Sequence, residues 1–193
     1  MFDFSVIGIV GLQASGKTLV ASHLIDLGAS RVRMGDVVWR EVKNRKLEIN
    51  EENVANVAKE LREREGMGAI AERCIPIIKK KGKKSETVVV DGLRGGAEVE
   101  VFRNEFGESF FLISVEAPDK LRYDRIKRRG REDDIEDFES FKEKDERELD
   151  WGMEEAMESA DFTIINNGSV RDLKIKVSKI FGEITENESR SES

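Results

Sequence analysis

A glycine-rich stretch, GLQASGKT, occupies residues 11–18 and follows directly on a short apolar run. Gly11, Gly16, Lys17 and Thr18 match the pattern G-x-x-x-x-G-K-[ST], in which a buried strand, a tight turn and a helix surround a phosphate chain. Backbone N–H groups of the turn and the helix N-terminus supply the positive side of that site. The pattern predicts a P-loop α/β fold that binds a nucleoside triphosphate.

Two residues of this loop have specific chemical tasks. Lys17 can reach the β- and γ-phosphates, and the Thr18 hydroxyl suits one position on Mg²⁺. ATP and Mg²⁺ are therefore the expected cofactors. The residues predicted to contact the nucleotide are Gly11, Leu12, Gln13, Ala14, Ser15, Gly16, Lys17 and Thr18.

Apolar segments alternate with helical patterns along the chain, which is typical of a parallel α/β sheet. The predicted strands are residues 4–10, 31–34, 87–91, 110–116 and 162–166. The helices predicted in the first half of the chain are residues 17–27, 36–46, 51–65 and 69–81. Asn50 is the expected N-cap of the third of these helices, because its short polar side chain can satisfy the first backbone N–H groups.

A second motif begins where the predicted strand 87–91 ends, at Asp91. In P-loop folds an aspartate at the carboxyl end of a neighbouring strand holds Mg²⁺, so Asp91 is predicted to share the metal with Thr18. Arg94 follows within the sequence DGLR, and a guanidinium can grip a phosphate through two parallel N–H bonds. The alternative is an ordinary Asp-Gly turn.

A third motif, Met34-Gly35-Asp36, follows the second predicted strand at the same edge of the sheet. Gly35 permits a tight turn there. Asp36 has two interpretations, since it can cap the next helix or face the acceptor substrate.

A basic stretch near the fourth strand is the candidate for closing over the transferred group. Arg125 and Arg129 are four residues apart, so they share a helix face. Phosphoryl transfer spreads negative charge over the equatorial oxygens, and these two arginines, with Arg131, are the candidates to close over it. We expect Arg125 and Arg129 to be mobile until both substrates bind. The alternative is a solvated basic helix end. The stretch consists of Arg122, Arg125, Lys127, Arg128, Arg129 and Arg131.

The composition argues against several other classes. Cys74 is the only cysteine and His23 the only histidine, so an intramolecular disulfide is impossible, a His/Cys metal site is not expected and a cytoplasmic location is favoured. The net charge of −7 argues against nucleic-acid binding. The sequence has no apolar run long enough to predict a membrane span. Residues 182–193 are polar and are expected to form a disordered tail.

Together these motifs resemble those of nucleoside monophosphate kinases and of dephospho-CoA kinase. MGD at 34–36 is similar to the T-G-D of adenylate kinases, DGLR at 91–94 to their D-G-x-P-R, and GREDD at 130–134 to their lid. The run ADFTIINNGS at 160–169 resembles the last strand and adenine-side loop of dephospho-CoA kinases. Overall, residues 4–181 resemble a mainly archaeal group of adenylate-kinase-related proteins.

This resemblance implies one kinase-like domain over residues 1–181, with a five-stranded parallel sheet in the order 2-3-1-4-5 flanked by helices. It also implies two helical insertions, an acceptor subdomain around residues 35–81 and a lid around 125–150. Two positions depart from the adenylate kinase pattern. DGLR lacks the proline, and Trp39 stands where those kinases carry an arginine that grips the acceptor phosphate. Trp39 either packs on an acceptor base or belongs to the core.

The resulting hypothesis is a kinase that transfers the γ-phosphoryl group of ATP to a nucleotide or nucleotide-like small molecule, as a monomer or a homodimer. Its candidate catalytic residues are Lys17, Asp36, Arg94, Arg125 and Arg129. One alternative is dephospho-CoA kinase, whose hydroxyl acceptor needs a general base, with Asp36 as the candidate. Another is an ATP-binding regulatory protein with little turnover, which would gain little from several arginines near the γ-phosphate.

Overall fold

A computed structural model describes residues 2–130 and 137–191, with side chains up to residue 186. Its strands are β1 (Ser5–Val10), β2 (Ser30–Arg33), β3 (Thr87–Asp91), β4 (Phe110–Glu116) and β5 (Phe162–Ile165). They form one parallel sheet in the order β2-β3-β1-β4-β5. The predicted fold class and strand order are therefore confirmed.

The central strand β1 is buried along its whole length. Successive side chains of a strand point to opposite faces, so Val6 and Val10 enter one core while Ile7 and Ile9 enter the other. Burying each of these side chains contributes roughly 1.5–3 kcal/mol. The phosphate loop therefore begins from a firmly held strand.

The strand register brings the sequence motifs together at the carboxyl edge of the sheet. Asp91 pairs with Ile9 of β1 on one side and with Arg33 of β2 on the other. Gly11 follows β1 directly, and Met34 follows β2 directly. Ligand sites in parallel α/β sheets lie at this edge.

The helices surround the sheet, and the four predicted in the first half of the chain have boundaries within two residues of the expected ones. Within the described ranges they are α1 (Lys17–Asp26), α2 (Met34–Asn44), α3 (Glu51–Glu65), α4 (Ala69–Gly82), α5 (Gly96–Phe106), α6 (Asp119–Arg129), α7 (Phe138–Glu148), α8 (Glu154–Glu158) and α9 (Val170–Ser191), with a 3₁₀ turn at Gly107–Ser109 and a π-helical turn at Leu149–Met153. Asn50 caps α3 as predicted, because its side chain accepts from the Asn53 N–H. None of the helices in this part of the chain is long and apolar enough to cross a membrane.

The expected disordered tail is wrong for residues 182–191, which continue α9. Ile184 is fully buried in the core that also contains Leu173 and Val177. These three residues recur at helical spacing and form one apolar stripe, which shares this core with side chains of α1. The low overall content of apolar residues concealed that stripe in the sequence. Residues 192–193 lie outside the described range.

Candidate functional site

Two glycines with positive φ shape the phosphate loop. Gly11 has a φ of 139° and Gly16 a φ of 114°, which are values that residues with side chains rarely adopt. A Cβ on Gly11 would overlap the carbonyl oxygen of Val115 in β4, and a Cβ on Gly16 would overlap the side chain of Asn166. Glycine at both positions therefore lets the loop pack directly on β4 and on the segment after β5.

Lys17 begins α1 and folds its side chain back over the loop. Its Nζ donates to the carbonyl oxygens of Gly11 and Leu12, the latter at 2.8 Å. Burial lowers the pKa of Lys17 from 10.5 to about 8, although nearby Glu148 and Asp91 favour the charged form. Phosphate oxygens would be stronger acceptors for this ammonium than neutral carbonyls.

Two polar side-chain atoms of the loop are buried without a partner among the described residues. They are Ser15 Oγ and Gln13 Nε2. A buried donor that lacks an acceptor destabilises the fold, so such groups commonly mark a place where a ligand or water binds. In loops with this motif, backbone N–H groups bind a phosphate chain beside such side chains.

Arg125 of α6 contacts the outer side of this loop. Its Nη1 donates to the carbonyl oxygens of Ala14 and Ser15 at 3.1 and 3.2 Å, and its Nη2 donates to that of Asn166 at 3.0 Å. The expectation of a mobile Arg125 is therefore wrong, because three backbone acceptors hold the guanidinium. Arg125 therefore holds the backbone of the phosphate loop.

The rest of the basic stretch divides into exposed and buried members. Arg129 is exposed at the C-terminal end of α6. Arg131 and the neighbouring acids of GREDD lie outside the described residues. Arg122 is buried and pairs with Asp145 of α7, which sequence reasoning missed because a run of charges suggests a solvated surface. Arg122 lies four residues before the apolar Ile126, and this helical spacing was the signal in the sequence that both face the core.

Asp91 lies at the carboxyl end of β3, where its carboxylate accepts from Arg31 of β2. Thr18 lies in the first turn of α1, so both predicted metal residues belong to the same edge of the sheet. Among the described residues, no group of three or more His, Cys, Asp or Glu side chains could hold a metal ion. A magnesium ion here would need phosphate oxygens or water besides these two side chains.

Asp36 is exposed in the first turn of α2 and forms an ion pair with Arg33 at 3.3 Å. The helix starts at Met34, with Arg33 in the capping position. The capping interpretation of Asp36 is therefore wrong. A carboxylate in the first turn still interacts favourably with the helix dipole.

Arg94 is exposed in the loop between β3 and α5, and a buried glutamate holds its backbone. The Arg94 N–H donates to Glu98 Oε2 at 2.6 Å, and Arg62 of α3 donates to Glu98 Oε1 at 3.4 Å. Burial raises the pKa of Glu98, while the bonds from Arg94 and Arg62 oppose that change. Sequence reasoning missed Glu98, since nothing in its pattern separates it from a surface glutamate.

The two tryptophans of the chain are both on the surface. Trp39 of α2 is 49% exposed, so its interpretation as a core residue is wrong. Trp151, in the π-helical turn, is 73% exposed. A Cβ on Gly95 would lie 2.9 Å from the Trp151 carbonyl oxygen, so the backbone of this turn packs on the loop that carries Arg94. Gly152 in this turn has a φ of 94°, so the chain is kinked there.

Comparison with protein families matches residues 7–150 to the AAA domain. A UPF0200 protein of Methanosarcina mazei is 45% identical over 181 residues, which cover 94% of this chain and 96% of that protein. The UPF0200/UPF0201 protein of Archaeoglobus fulgidus is 48% identical over 187 residues, or 97% of this chain. The chain spans 58% of the length of the latter protein.

Two solved kinases share the fold. A dephospho-CoA kinase from Campylobacter jejuni superposes with a TM-score of 0.60 at 19% identity, covering 97% of this chain and 99% of that one. A shikimate kinase from Acinetobacter baumannii, in complex with shikimate, superposes with a TM-score of 0.56 at 21% identity. The match covers 93% of this chain and 94% of the shikimate kinase. These structures show a P-loop kinase fold. The much closer sequence relationships confirm the expected resemblance, and the chain belongs to the UPF0200 family.

Proposed function

We propose that this protein is an ATP-dependent phosphotransferase whose acceptor is a nucleotide or a nucleotide-like small molecule. The observation that carries the proposal is the phosphate loop at residues 11–18, where Lys17 lies over the loop and Ser15 Oγ and Gln13 Nε2 are buried without partners. The kinase fold shared with the solved dephospho-CoA and shikimate kinases supports phosphoryl transfer as the reaction.

On the donor side, Lys17 would exchange the loop carbonyls for the β- and γ-phosphates of ATP. The N–H groups of the loop would bind the remaining oxygens, as the glycine-rich motif implies. Thr18 and Asp91 would hold Mg²⁺, which neutralises charge on the phosphate oxygens when bound. Arg31 fixes the direction of the Asp91 carboxylate through their ion pair.

On the acceptor side, Arg94 and Asp36 follow the two strands that precede β1 in the sheet order. The exposed Arg94 guanidinium suits a phosphate of the acceptor. Glu98 holds the backbone of Arg94 and so limits where that guanidinium can reach. Trp39 presents an exposed aromatic face on which a planar base can stack.

Two arginines of α6 would act on the transferred group in different ways. Arg129, at the end of the helix, would compensate the charge that develops on the equatorial oxygens during transfer. Arg125 holds the carbonyls of Ala14 and Ser15, so it would act by keeping the loop in position.

Dephospho-CoA kinase is the second candidate, and Asp36 distinguishes it from a monophosphate kinase. A hydroxyl acceptor needs a general base, whereas a monophosphate acceptor is already ionised. Asp36 is exposed at the sheet edge and therefore accessible to such a hydroxyl. Asp36→Asn should abolish transfer to dephospho-CoA but largely preserve transfer to a monophosphate.

An acceptor screen tests the proposal. The protein is incubated with Mg²⁺ and γ-labelled ATP together with AMP, CMP, UMP, GMP or dephospho-CoA, and with shikimate as a non-nucleotide control. Label in a nucleotide-like acceptor, lost in Lys17→Ala, is the expected result. Label in shikimate alone would contradict the acceptor class. ATP hydrolysis below one turnover with no labelled acceptor would instead indicate a regulatory ATP-binding protein.

The proposed location is the cytoplasm, where ATP is available and thiols stay reduced. Cys74 of α4 is buried, and burial raises its pKa to about 12. A thiol of this kind does not ionise at neutral pH and behaves as a small apolar side chain. A single inert cysteine suits a reducing compartment.

A further inference from the structure

Arg122 of α6 is a fully satisfied guanidinium in the interior of the protein. Its Nη1 donates to Asp145 Oδ1 at 3.1 Å and to the carbonyl oxygen of Gln13 at 3.3 Å. Its Nη2 donates to Asp145 and to Asp119, the latter at 2.7 Å, and its Nε donates to the carbonyl of Ala117 at 3.1 Å. Arg122 and Asp145 are each only 2% exposed. This network joins α6, α7 and the phosphate loop.

Arg122 and Arg125 together bind three successive carbonyl groups of the loop. Arg122 holds the carbonyl of Gln13, and Arg125 holds those of Ala14 and Ser15. In an anion-binding loop the N–H groups face the anion, so the carbonyls must face away from it. The two arginines occupy that outer side.

The loop conformation that they hold is not an intrinsically favourable one. Ala14 has a φ of 55°, a left-handed conformation that costs an L-residue roughly 1–2 kcal/mol. Hydrogen bonds from charged donors are about twice as strong as neutral ones, and burial strengthens them further. The hydrogen bonds that the two arginines donate to the carbonyls of residues 13–15 therefore offset the free-energy cost of this conformation.

We propose that Arg122, oriented by Asp145, is a positioning residue that keeps the phosphate loop in its anion-binding conformation before the nucleotide arrives. The role rests on the proposed function, since it presumes that the loop binds phosphates. It makes the position of α7 and the shape of the loop interdependent, because Asp145 belongs to α7. The Phe141 ring of the same helix lies 4.9 Å from the guanidinium and covers it.

The competing explanation is a buried ion pair that contributes only to global stability. Such a pair would lower the melting temperature when it is broken, without any specific effect on the loop. Amide NMR separates the two, because it reports on Gly11–Thr18 individually in the folded protein. In the nucleotide-free wild type, the inference requires amides 13–15 to be as rigid as those of β1. Flexible amides at these positions would overturn it without any variant.

The variants make the test specific. Arg122→Lys keeps a charge beside Asp145 but cannot reach the Gln13 carbonyl at the same time, and Asp145→Asn keeps the shape of the acid while removing its charge. Arg103→Lys is the matched control, because Arg103 also pairs with an aspartate, Asp161, away from the loop. Both test variants should broaden or shift the amide signals of the loop and weaken inorganic triphosphate binding by about tenfold. The control should change neither.

Unchanged loop signals and unchanged triphosphate affinity in a folded Asp145→Asn or Arg122→Lys variant would overturn the inference. The amide measurement needs neither ATP turnover nor an acceptor. If the protein proves not to be a phosphotransferase, the amide measurement therefore still tests whether Arg122 positions the loop. Conversely, if the wild-type protein transfers phosphate although its loop is flexible, only the positioning role of Arg122 is contradicted.

Discussion

Arg31 on β2 donates to the carboxylate of Asp91 at the end of β3, so the proposed metal ligand already has a cationic partner. A guanidinium and a magnesium ion compete for the same negative oxygens. The strength of this ion pair therefore influences how much Mg²⁺ the site needs. The ion pair also fixes the Asp91 carboxylate at the carboxyl end of β3, where Asp91 pairs with Ile9 of β1.

Asp91→Asn is expected to raise the Mg²⁺ concentration needed for half-maximal activity by about tenfold or more, because the proposed metal site loses its carboxylate charge. Arg31→Gln is expected to lower that concentration, because the competing cation is removed. Both effects are measured by titrating Mg²⁺ at fixed ATP. Asp161→Asn is the control, since Asp161 pairs with Arg103 instead. An Asp91→Asn protein with the wild-type requirement would make Asp91 a turn residue only.

The lowered pKa of Lys17 predicts a pH dependence for ATP binding. In the nucleotide-free protein Lys17 loses its proton as the pH rises through about 8. The phosphates favour the charged form, so binding above this pH takes up a proton and the affinity falls by up to about tenfold per pH unit. Calorimetry from pH 7 to pH 10 measures the affinity, and proton uptake follows from buffers with different ionisation enthalpies.

Lys17→Ala is the control for this titration. Its weaker affinity should stay nearly constant over the same range, because the titrating group is absent. If the wild-type affinity is equally flat and no proton is taken up, Lys17 does not gain its charge from the phosphates.

The left-handed conformation of Ala14 predicts that Ala14→Gly stabilises the protein. Glycine adopts this φ without steric cost, so the free energy of unfolding should rise by up to about 1 kcal/mol. Ala55→Gly is the control with the opposite sign, because Ala55 is an exposed residue of α3 and glycine there costs about 1 kcal/mol. Denaturant unfolding measures both. If Ala14→Gly lowers the free energy of unfolding about as much as Ala55→Gly does, the backbone conformation of Ala14 is not strained.

The phosphate loop and the helices of the first half of the chain were predictable because they depend on local patterns. The strand order was expected from the resemblance to known kinases, since it depends on contacts between distant segments. A continuous apolar run identified β1, and the Gly-Lys-Thr spacing identified the loop at its end. Asn50 capped α3 because a cap depends on one side chain and the next turn of backbone. Each of these features is determined within about ten residues of sequence, which is the range that such patterns cover.

The buried charges were not predictable in the same way. Arg122 meets Asp145, and Glu98 meets Arg62, only after the helices pack. A charged residue in a helical pattern is read as solvated unless its distant partner is known. The same limitation explains Arg125, whose acceptors lie in the phosphate loop and after β5.

Arg125 and Arg129 should affect different kinetic quantities, although they lie on one helix. Arg125→Ala should weaken ATP binding, because the Ala14 carbonyl loses the Arg125 donor and the Ser15 carbonyl keeps only its bond from Asn166 Nδ2. Arg129→Ala should lower the transfer rate by about tenfold or more with little change in ATP affinity, as expected for a contact made mainly in the transition state. Calorimetry and turnover measured separately test this. Equal losses of affinity and rate in both variants would contradict the assignment.

Phosphoryl transfer by Lys17→Ala measures most directly whether this loop catalyses transfer from ATP. Removal of one positioned charge contact in such a site costs on the order of 10²–10³ in rate. We predict that loss with an unchanged circular dichroism spectrum, because the Lys17 ammonium donates its hydrogen bonds to carbonyls of its own loop. A folded Lys17→Ala protein that transfers phosphate at nearly the wild-type rate would contradict it.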